Sequence, residues 1–488
     1  MHPIDDAPKL PDDPNDRRPW YQLLNRYHWF VLIVAALGWL FDTMDQQLFV
    51  LARQPAIADL LNVSTDHPDV IKYSGYATTI FIVGWATGGL VFGWMGDRLG
   101  RARTMVLTIL IYSVFTGLSA FSFTWIDFAF YRFITGMGVG GEFAAGVSLV
   151  AEVMPNRARP YALGLLQALS AVGNMTAAAI YFIIFRVSPE EGVQGFATWR
   201  LVFLVGILPA ALAIYIRRHL KEPESWQRAK DAARAAKNRA DAARAAGEEL
   251  PPDEFHKQVG DIKEMFSDPR WRKSTIIGVL LATSGVMGLW GIGFWTPELV
   301  RSFVPKSDQS FYVAMTSFLQ NLGAFFGIYA FGLMAGIVGR RPAFAVSYVI
   351  GLIMTVAVFG FMNDTSQIWW MIPMLGFATL MVFGGYAIYF PELYPTRLRS
   401  TGIGFCYNSA RYLAAMAPIM LAPLAGLFAA PAGSERAAEK LSYLTILSSF
   451  GSVDTPFRYA AIALSSVFII GLLTLPFAPE TKGKPLPE

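Results

Sequence analysis

The feature that most constrains this chain is a series of apolar stretches separated by short charged segments. Each stretch is about 20 residues long, which is the length that a helix needs to cross the hydrocarbon core of a bilayer. Only 16% of the residues are charged, whereas a soluble protein carries about 25%. A soluble fold would have to bury many helices that are apolar on every face, so the pattern predicts an all-α membrane protein. The predicted spans are 29–51, 74–95, 104–124, 128–150, 160–185, 199–216, 274–298, 310–335, 342–362, 368–390, 402–428 and 457–478.

A long polar segment divides these twelve transmembrane helices into two sets of six. The predicted organisation is a cytoplasmic polar tail (1–28), an N-terminal six-helix bundle (29–218), a cytoplasmic linker (219–272), a C-terminal six-helix bundle (273–479) and a cytoplasmic tail (480–488). The linker contains the run RAKDAARAAKNRADAARAAGEEL, which is rich in helix formers and in both charge signs. We interpret this run as a solvated helix rather than a dedicated partner-binding helix.

The orientation follows from the Lys and Arg residues in the loops. If the N-terminus is cytoplasmic, one side of the membrane receives most of the basic residues and the whole linker. Cytoplasmic loops carry an excess of Lys and Arg, so we expect both termini inside, in a bacterial-type inner membrane. The first 28 residues contain no apolar segment of the signal-peptide kind, and we expect no cleaved leader.

Two pairs of loops repeat six spans apart. In register, Glu152 matches Glu392 and Arg159 matches Arg399. Matching loops at matching places indicate two related six-helix bundles, and such repeats place a substrate site between the halves near the midplane. The paired segments are GWMGDRLGRAR (93–103) with GLMAGIVGRRP (332–342), and AEVMPNRARPYALG (151–164) with PELYPTRLRSTGIG (391–404).

These segments resemble the major facilitator superfamily. The loop at 93–103 is similar to the signature loop of that family, while its second copy departs from the pattern, with Gly336 and Ile337 in place of the acid and the base. The segment RFITGMGVGGE resembles the fourth helix of the family, and WRLVF, EPESW and PETKGKPL resemble marks of the branch that holds sugar porters and metabolite:proton symporters. The resemblance runs from the first helix to PETKG and implies two six-helix pseudo-repeats.

The first loop is the candidate gate. Asp97, at the end of the second span, can accept hydrogen bonds from the N-terminus of a neighbouring helix, and Arg98 and Arg101 can bridge to an acid such as Glu152. The resemblance implies that this set latches the outward-open state from the cytoplasmic side. The alternative is a loop that only sets topology, to which an Asp contributes little. The expected gating residues are Asp97, Arg98, Arg101, Glu152, Arg159, Glu392 and Arg399.

Charged residues inside the spans are the candidates for proton coupling. Asp42 and Asp45 are three residues apart on the first helix, so they share a face. A buried carboxylate needs a partner or holds a proton, and none of the five histidines lies in a span. The resemblance to symporters implies an Asp–Arg pair between the first and fourth helices, here Asp42 with Arg132, and Glu142 follows about 15 Å deeper by helical rise. For each Asp the alternative is a purely structural ion pair.

The substrate site is expected around Arg411, the only Lys or Arg well inside the C-terminal spans. A guanidinium binds a planar carboxylate through two parallel hydrogen bonds. Membrane helices also use polar residues to hold neighbouring helices together, so a packing role is the alternative for the other candidates. Those candidates are Asn408, Gln46, Gln167, Asn174, Gln320, Asn321, Tyr386 and Tyr389.

The function expected from these features is proton-coupled symport of a small organic anion, a carboxylate metabolite, by alternating access. The alternatives are a sugar or polyol:proton symporter of the same fold and a non-transporting membrane sensor. The seventh span lacks Gln and Asn, which weakens the hexose interpretation because hydroxyls need neutral donors and acceptors. The chain has one cysteine, Cys406, no Cys/His metal spacing and no ATPase loop. We therefore expect a monomer driven by the proton gradient, with no cofactor, no metal and no nucleic-acid partner.

Overall fold

Helices make up all the regular elements in the parts of the chain that the structure, a computed structural model, describes. The described residues are 18–65, 67–188, 196–246, 258–293, 296–305, 307–415 and 456–487. The helices up to the linker are α1 (Arg26–Leu61), α2 (Pro68–Leu99), α3 (Arg101–Ser119), α4 (Trp125–Val153), α5 (Arg159–Val187), α6 (Thr198–Val205) and α7 (Pro209–His219). The linker contributes α8 (Glu224–Ala246) and α9 (Ile262–Ser267). The remaining helices are α10 (Pro269–Ile292), α11 (Thr296–Arg301), α12 (Gln309–Val338), α13 (Arg340–Phe361), α14 (Thr365–Glu392), α15 (Arg399–Ala414), α16 (Pro456–Leu464) and α17 (Val467–Thr474).

Ten of the twelve predicted spans have a counterpart among the described helices that could cross a membrane. Ten helical segments in the described residues are long and apolar enough to cross a bilayer. The two remaining predicted spans, 274–298 and 402–428, overlap α10 and α15, and residues 416–428 of the second span lie outside the described part. The sixth span is divided between α6 and α7, with Pro209 at the start of the second piece. The prediction of an all-α membrane protein is confirmed.

Local sequence explains where the helices turn. Thr124 and Asp127 form a capping box at the start of α4, which satisfies amide groups that have no partner in the first turn. One residue separates α2 from α3 and α12 from α13, and in both places it is a glycine with positive φ, 119° at Gly100 and 107° at Gly339. Residues with a Cβ rarely adopt this conformation, so the repeated glycines make the same tight turn in both halves of the chain.

Glycine also brings the two halves close together. A Cβ added at Gly89 of α2 would overlap the side chain of Asn408 on α15, and one at Gly93 would lie 3.1 Å from the Cα of Gly404. Gly164 of α5 meets Gly332 of α12 in the same way. Small residues allow membrane helices to approach backbone to backbone. The pairs α2–α15 and α5–α12 therefore form close contacts between the first and second sets of helices.

Candidate functional site

A cavity of about 470 Å³ lies between the two sets of helices. We call the side of the molecule that carries α8 the linker side, and the other the opposite side. The cavity reaches the exposed residues Gln54 and Arg301 on the opposite side. Its polar lining includes six amides and one cation from the middle of the helices, namely Gln46, Gln47, Gln167, Asn174, Gln320, Asn321 and Arg411.

Arg411 is the central charge of this cavity. It lies twelve residues from the start of α15, which is about 18 Å along the helix axis. Its guanidinium lies over the rings of Trp85 and Tyr407, 4.3 and 4.0 Å from their centroids. One nitrogen, Nη1, donates to Asn408 Oδ1 at 2.9 Å and to the Tyr407 carbonyl at 3.3 Å. Among the described residues Nε has no hydrogen-bond partner, and no carboxylate pairs with this cation.

The amides of the cavity connect the two halves. Asn174 of α5 donates from Nδ2 to Asn321 Oδ1 of α12 at 2.8 Å, and Asn321 in turn donates to the Ser317 carbonyl. Two buried acceptors, Asn174 Oδ1 and Gln167 Oε1, have no hydrogen-bond donor among the described residues. Both residues line the cavity, and buried polar groups without partners are costly.

Three predicted substrate residues do not line this cavity. Tyr386 donates its hydroxyl to the Leu281 carbonyl at 2.6 Å, and Tyr389 donates to the Pro479 carbonyl at 2.7 Å. Asn408 is fully buried between Arg411 and Gly89. The positions of the two tyrosines do not support a role in substrate contact, because α14 turns this face toward α10 and the chain end. Asn408 instead orients the guanidinium of Arg411.

Arg132 pairs with Asp45 and not with Asp42, which corrects the expected partner. Arg132 Nη1 lies 3.8 Å from Asp45 Oδ2, and Thr116 donates to the other Asp45 oxygen at 2.6 Å. The guanidinium also donates to Ser119 Oγ at 2.7 Å and lies over the ring of Phe203. Asp45 is one turn nearer the opposite side than Asp42, and Arg132 is near the opposite-side end of α4. Arg132 therefore lies at the depth of Asp45 and pairs with it.

Asp42 instead adjoins Glu142 and Tyr112. All three side chains are buried, with exposures of 0%, 1% and 0%. Neither Asp42 oxygen makes a hydrogen bond of ordinary geometry with a described residue. Gly38 leaves the space that Glu142 occupies, since a Cβ there would meet its carboxyl oxygen. Two adjoining carboxyls in a buried site cannot both be ionised without a large cost.

The linker side is closed by hydrogen bonds between the two halves. Asp97 accepts hydrogen bonds from the backbone N–H groups of Ser400 and Thr401, at 3.2 and 2.8 Å, and from the Thr401 hydroxyl at 2.6 Å. These amides form the first turn of α15, so the carboxylate of Asp97 caps that helix and interacts favourably with its dipole. Such a bond is possible only while α2 and α15 remain in contact.

One carboxylate, that of Glu152, joins arginines from both halves. Arg101 and Arg399 each donate to its Oε1 at 2.9 Å. Arg101 also pairs with Asp97 at 3.0 Å and donates to the Thr396 carbonyl. We call Asp97, Arg101, Glu152, Arg399 and Thr401 the linker-side seal. It separates the cavity from the linker side in this structure.

The other predicted gating residues have different surroundings. Arg98 is exposed and lies over the ring of Trp94. Arg159 donates to the Ala151 carbonyl and to Asn156 in the connection from α4 to α5. Glu392 pairs with Arg340 at 2.6 Å, which repeats the Arg101–Glu152 pair within the second half. Arg98 and Glu392 therefore lie outside the contact between the halves.

Two glutamates that we did not predict cap equivalent helices. Glu222 accepts from the backbone N–H groups of Ala102 and Arg103 at the start of α3. Glu480 accepts from those of Arg340 and Arg341 at the start of α13, both at 3.0 Å. The sequence contained a signal for both, since each Glu adjoins a proline directly after the last helix of its half, in EPESW and in PETKG.

In the described ranges, no cluster of three or more His, Cys, Asp or Glu residues could hold a metal ion. The polar groups of the site are Arg411 with the amides around it, and two buried groups that contain acids, Asp42 with Glu142 and Asp45 with Arg132. A sequence profile described as the Major Facilitator Superfamily matches residues 35–419. The chain belongs to the major facilitator superfamily. The predicted family is confirmed, and the protein is a membrane transporter and not an enzyme.

The relatives of this superfamily member have known or assigned transport roles. A putative metabolite transport protein of Haemophilus influenzae is 28% identical, over 95% of this chain and 99% of that protein. A cis,cis-muconate transport protein of Acinetobacter baylyi is 28% identical, over 80% and 86% of the two chains. The solved structure of a proton:xylose symporter, XylE, superposes with a TM-score of 0.69 at 18% identity, over 94% and 98% of the chains. This likeness confirms the two-halves fold of the family.

Proposed function

We propose that this transporter carries a small organic anion, a carboxylate metabolite, by proton-coupled symport with alternating access. The observation that supports the proposal best is the guanidinium of Arg411, which is buried in the cavity without a carboxylate partner among the described residues. An unpaired charge at this depth is among the costliest features of a membrane protein. A substrate carboxylate would compensate it, and the planar, ring-stacked guanidinium suits a two-point contact.

Proton coupling is assigned to the buried acids. The adjoining carboxyls of Asp42 and Glu142 cost least when they hold a proton, because burial and like charge both disfavour a second anion. Asp45 and Arg132 form a long pair at 3.8 Å, and the facing oxygen and nitrogen lack hydrogen bonds to described residues. Protonation of Asp45 would release Arg132. Together with Asp42 and Glu142, this pair gives α1 and α4 two arrangements that differ by a proton.

The gating proposal follows from the side on which the cavity is closed. The linker side is the cytoplasmic side by its excess of Lys and Arg, with both termini inside in a bacterial-type inner membrane. The structure then corresponds to an outward-open state that the linker-side seal holds closed toward the cytoplasm. Arg98, Arg159 and Glu392 act in this proposal by supporting their own halves. The transporter works as a monomer, without a cofactor.

The assigned roles of the relatives agree with an acidic substrate, since muconate is a dicarboxylate. A sugar or polyol is the second candidate, and one observation favours it. The unpaired acceptors Gln167 Oε1 and Asn174 Oδ1 suit hydroxyl donors. These acceptors are equally compatible with a carboxylate that carries hydroxyl groups, whereas a neutral sugar leaves the charge of Arg411 uncompensated.

The test is a thermal-shift screen of the purified full-length protein at two pH values. The panel contains cis,cis-muconate, benzoate and lactate, the neutral amides of these acids, and xylose and xylitol. Stabilisation by an acid and not by its amide is the expected result, followed by uptake of that acid into proteoliposomes together with protons, read with a pH-sensitive dye. Stabilisation by xylose or xylitol alone would refute the anion and select the second candidate.

A further inference from the structure

A second cavity, of about 530 Å³, lies on the outer surface of the helix bundle, between α10 and the end of α17. We call it the α10–α17 groove. Its walls are apolar, with Ile276 and Leu280 on α10 and Ile470 and Leu473 on α17, and Phe477 follows directly after α17. Leu473 and Phe477 are 68% and 66% exposed. This groove lies outside the substrate cavity and shares no lining residue with it.

Two cations lie at the linker-side end of the groove. Arg272 and Lys273 belong to the first turns of α10, and both side chains are exposed. Neither side chain makes a hydrogen bond or an ion pair with another described residue. The neighbouring acids are already engaged, since Asp268 accepts from the Arg270 backbone N–H and Glu264 pairs with Arg397. The groove therefore has two uncompensated positive charges above an apolar floor.

The depth of the groove matches one leaflet of a bilayer. Lys273 and Leu280 are seven residues apart on α10, which is about 10 Å along the axis. The end of α17 returns toward the linker side next to α10, so its exposed apolar side chains face the same depth. A ligand that fills this space needs an anionic group at the surface and a hydrocarbon chain pointing into the membrane.

We propose that the α10–α17 groove binds an anionic glycerophospholipid of the linker-side leaflet. Its phosphodiester lies between Arg272 and Lys273, and one acyl chain follows Ile276, Leu280 and Leu473. Basic pockets between transmembrane helices hold anionic headgroups in this way. A soluble anion would leave the exposed apolar walls uncovered. A second protein chain would leave both cations unpaired unless it supplied acids at that position.

The experiment uses purified, delipidated full-length protein in dodecyl maltoside. The melting temperature is followed while dioleoyl phosphatidylglycerol or dioleoyl phosphatidylcholine is added. Phosphatidylglycerol should raise the Tm of the wild type more strongly than phosphatidylcholine. The double variant Arg272→Gln, Lys273→Gln should need about 30-fold more phosphatidylglycerol for half the effect, as expected for the loss of two Lys/Arg contacts with an anionic headgroup.

Two further variants separate this site from general charge effects. Arg234→Gln with Lys237→Gln removes the same charge from α8 and should respond like the wild type. Leu473→Trp keeps both cations but fills the groove and should lose the lipid response, and this variant also tests the proposal if the double variant is unstable. An equal response of the double variant and the wild type, or an equal response to both lipids, would overturn the proposal. Stabilisation by glycerol 3-phosphate alone would also overturn it, because that result describes a soluble-anion site.

Discussion

Replacing Arg411 by lysine tests the proposed substrate contact most directly, because the positive charge is retained. The guanidinium uses Nη1 to hold Asn408 and Tyr407, which leaves Nε and part of Nη2 for a substrate. Lysine offers one compact ammonium group, so it cannot keep the Asn408 contact and bind a carboxylate at two points. It also loses the planar stacking on Trp85 and Tyr407.

The magnitude follows from these losses. A hydrogen bond to a charged group contributes about 1.5–3 kcal/mol, and stacking of the cation on a ring about 0.5–2 kcal/mol. Arg411→Lys should therefore weaken substrate binding by roughly 2–5 kcal/mol, which is about 30- to 5,000-fold in Kd. Arg411→Ala should remove measurable binding.

The assay is isothermal titration calorimetry on the purified protein, with the acid that the thermal-shift screen identifies. Arg301→Lys is the matched control. Arg301 lies at the exposed end of the same cavity, and the change should leave Kd within about threefold, because an exposed charge that is retained contributes little. A thermal melt in the absence of ligand checks folding. If Arg411→Lys binds the acid as tightly as the wild type, the proposed two-point contact is wrong.

Four further predictions concern the acids. Asp42→Asn should abolish uphill accumulation of the substrate while counterflow exchange persists. Glu142→Gln should flatten the pH dependence of uptake in proteoliposomes. Unchanged proton flux in both variants would exclude the pair from coupling. Asp97→Asn removes the charge of the carboxylate that accepts three hydrogen bonds from α15. The contact between α2 and α15 should then lose roughly 1–3 kcal/mol. Double electron–electron resonance should detect a longer distance between spin labels on the linker-side ends of these two helices. At Glu480, burial raises the pKa but hydrogen bonds from backbone N–H groups, those of Arg340 and Arg341 first, outweigh it, so the pKa is lowered. The stabilisation by the ionised Glu480 carboxylate is present above the unfolded pKa of about 4.3 and is lost as pH falls through the folded value. Glu480→Gln should therefore lower Tm at pH 7. The difference in Tm from the wild type should shrink below about pH 4.

Depth in the membrane could be predicted from the sequence, whereas helix rotation could not. Position within the predicted spans made Arg411 and the amides of α5 and α12 candidates for the substrate site, and all of these line the cavity. The same criterion selected Tyr386 and Tyr389, which lie on a face of α14 that packs against other elements. Rotation depends on how whole helices pack, and one sequence contains little information about it.

The pairing of buried charges was out of reach for a related reason. Asp42 and Asp45 share a face and differ by only about 4.5 Å in height, so spacing alone does not decide which of them meets Arg132. The offset between α1 and α4 decides it, and Gly38 against Glu142 is one of the contacts at which these two helices approach each other. The caps by Glu222 and Glu480 were recognisable in principle, because their motifs recur at equivalent places in the chain.

The glycine contact between α2 and α15 also bears on the speed of the transport cycle. Where Gly93 meets Gly404, backbone faces backbone, and at that point no side chain must withdraw before the helices separate. At that end of the interface, the contacts that opening must break are the few polar bonds around Asp97 and Glu152. A turnover rate set by so few groups can change over a wide range by single substitutions, while the substrate cavity and its affinity stay the same.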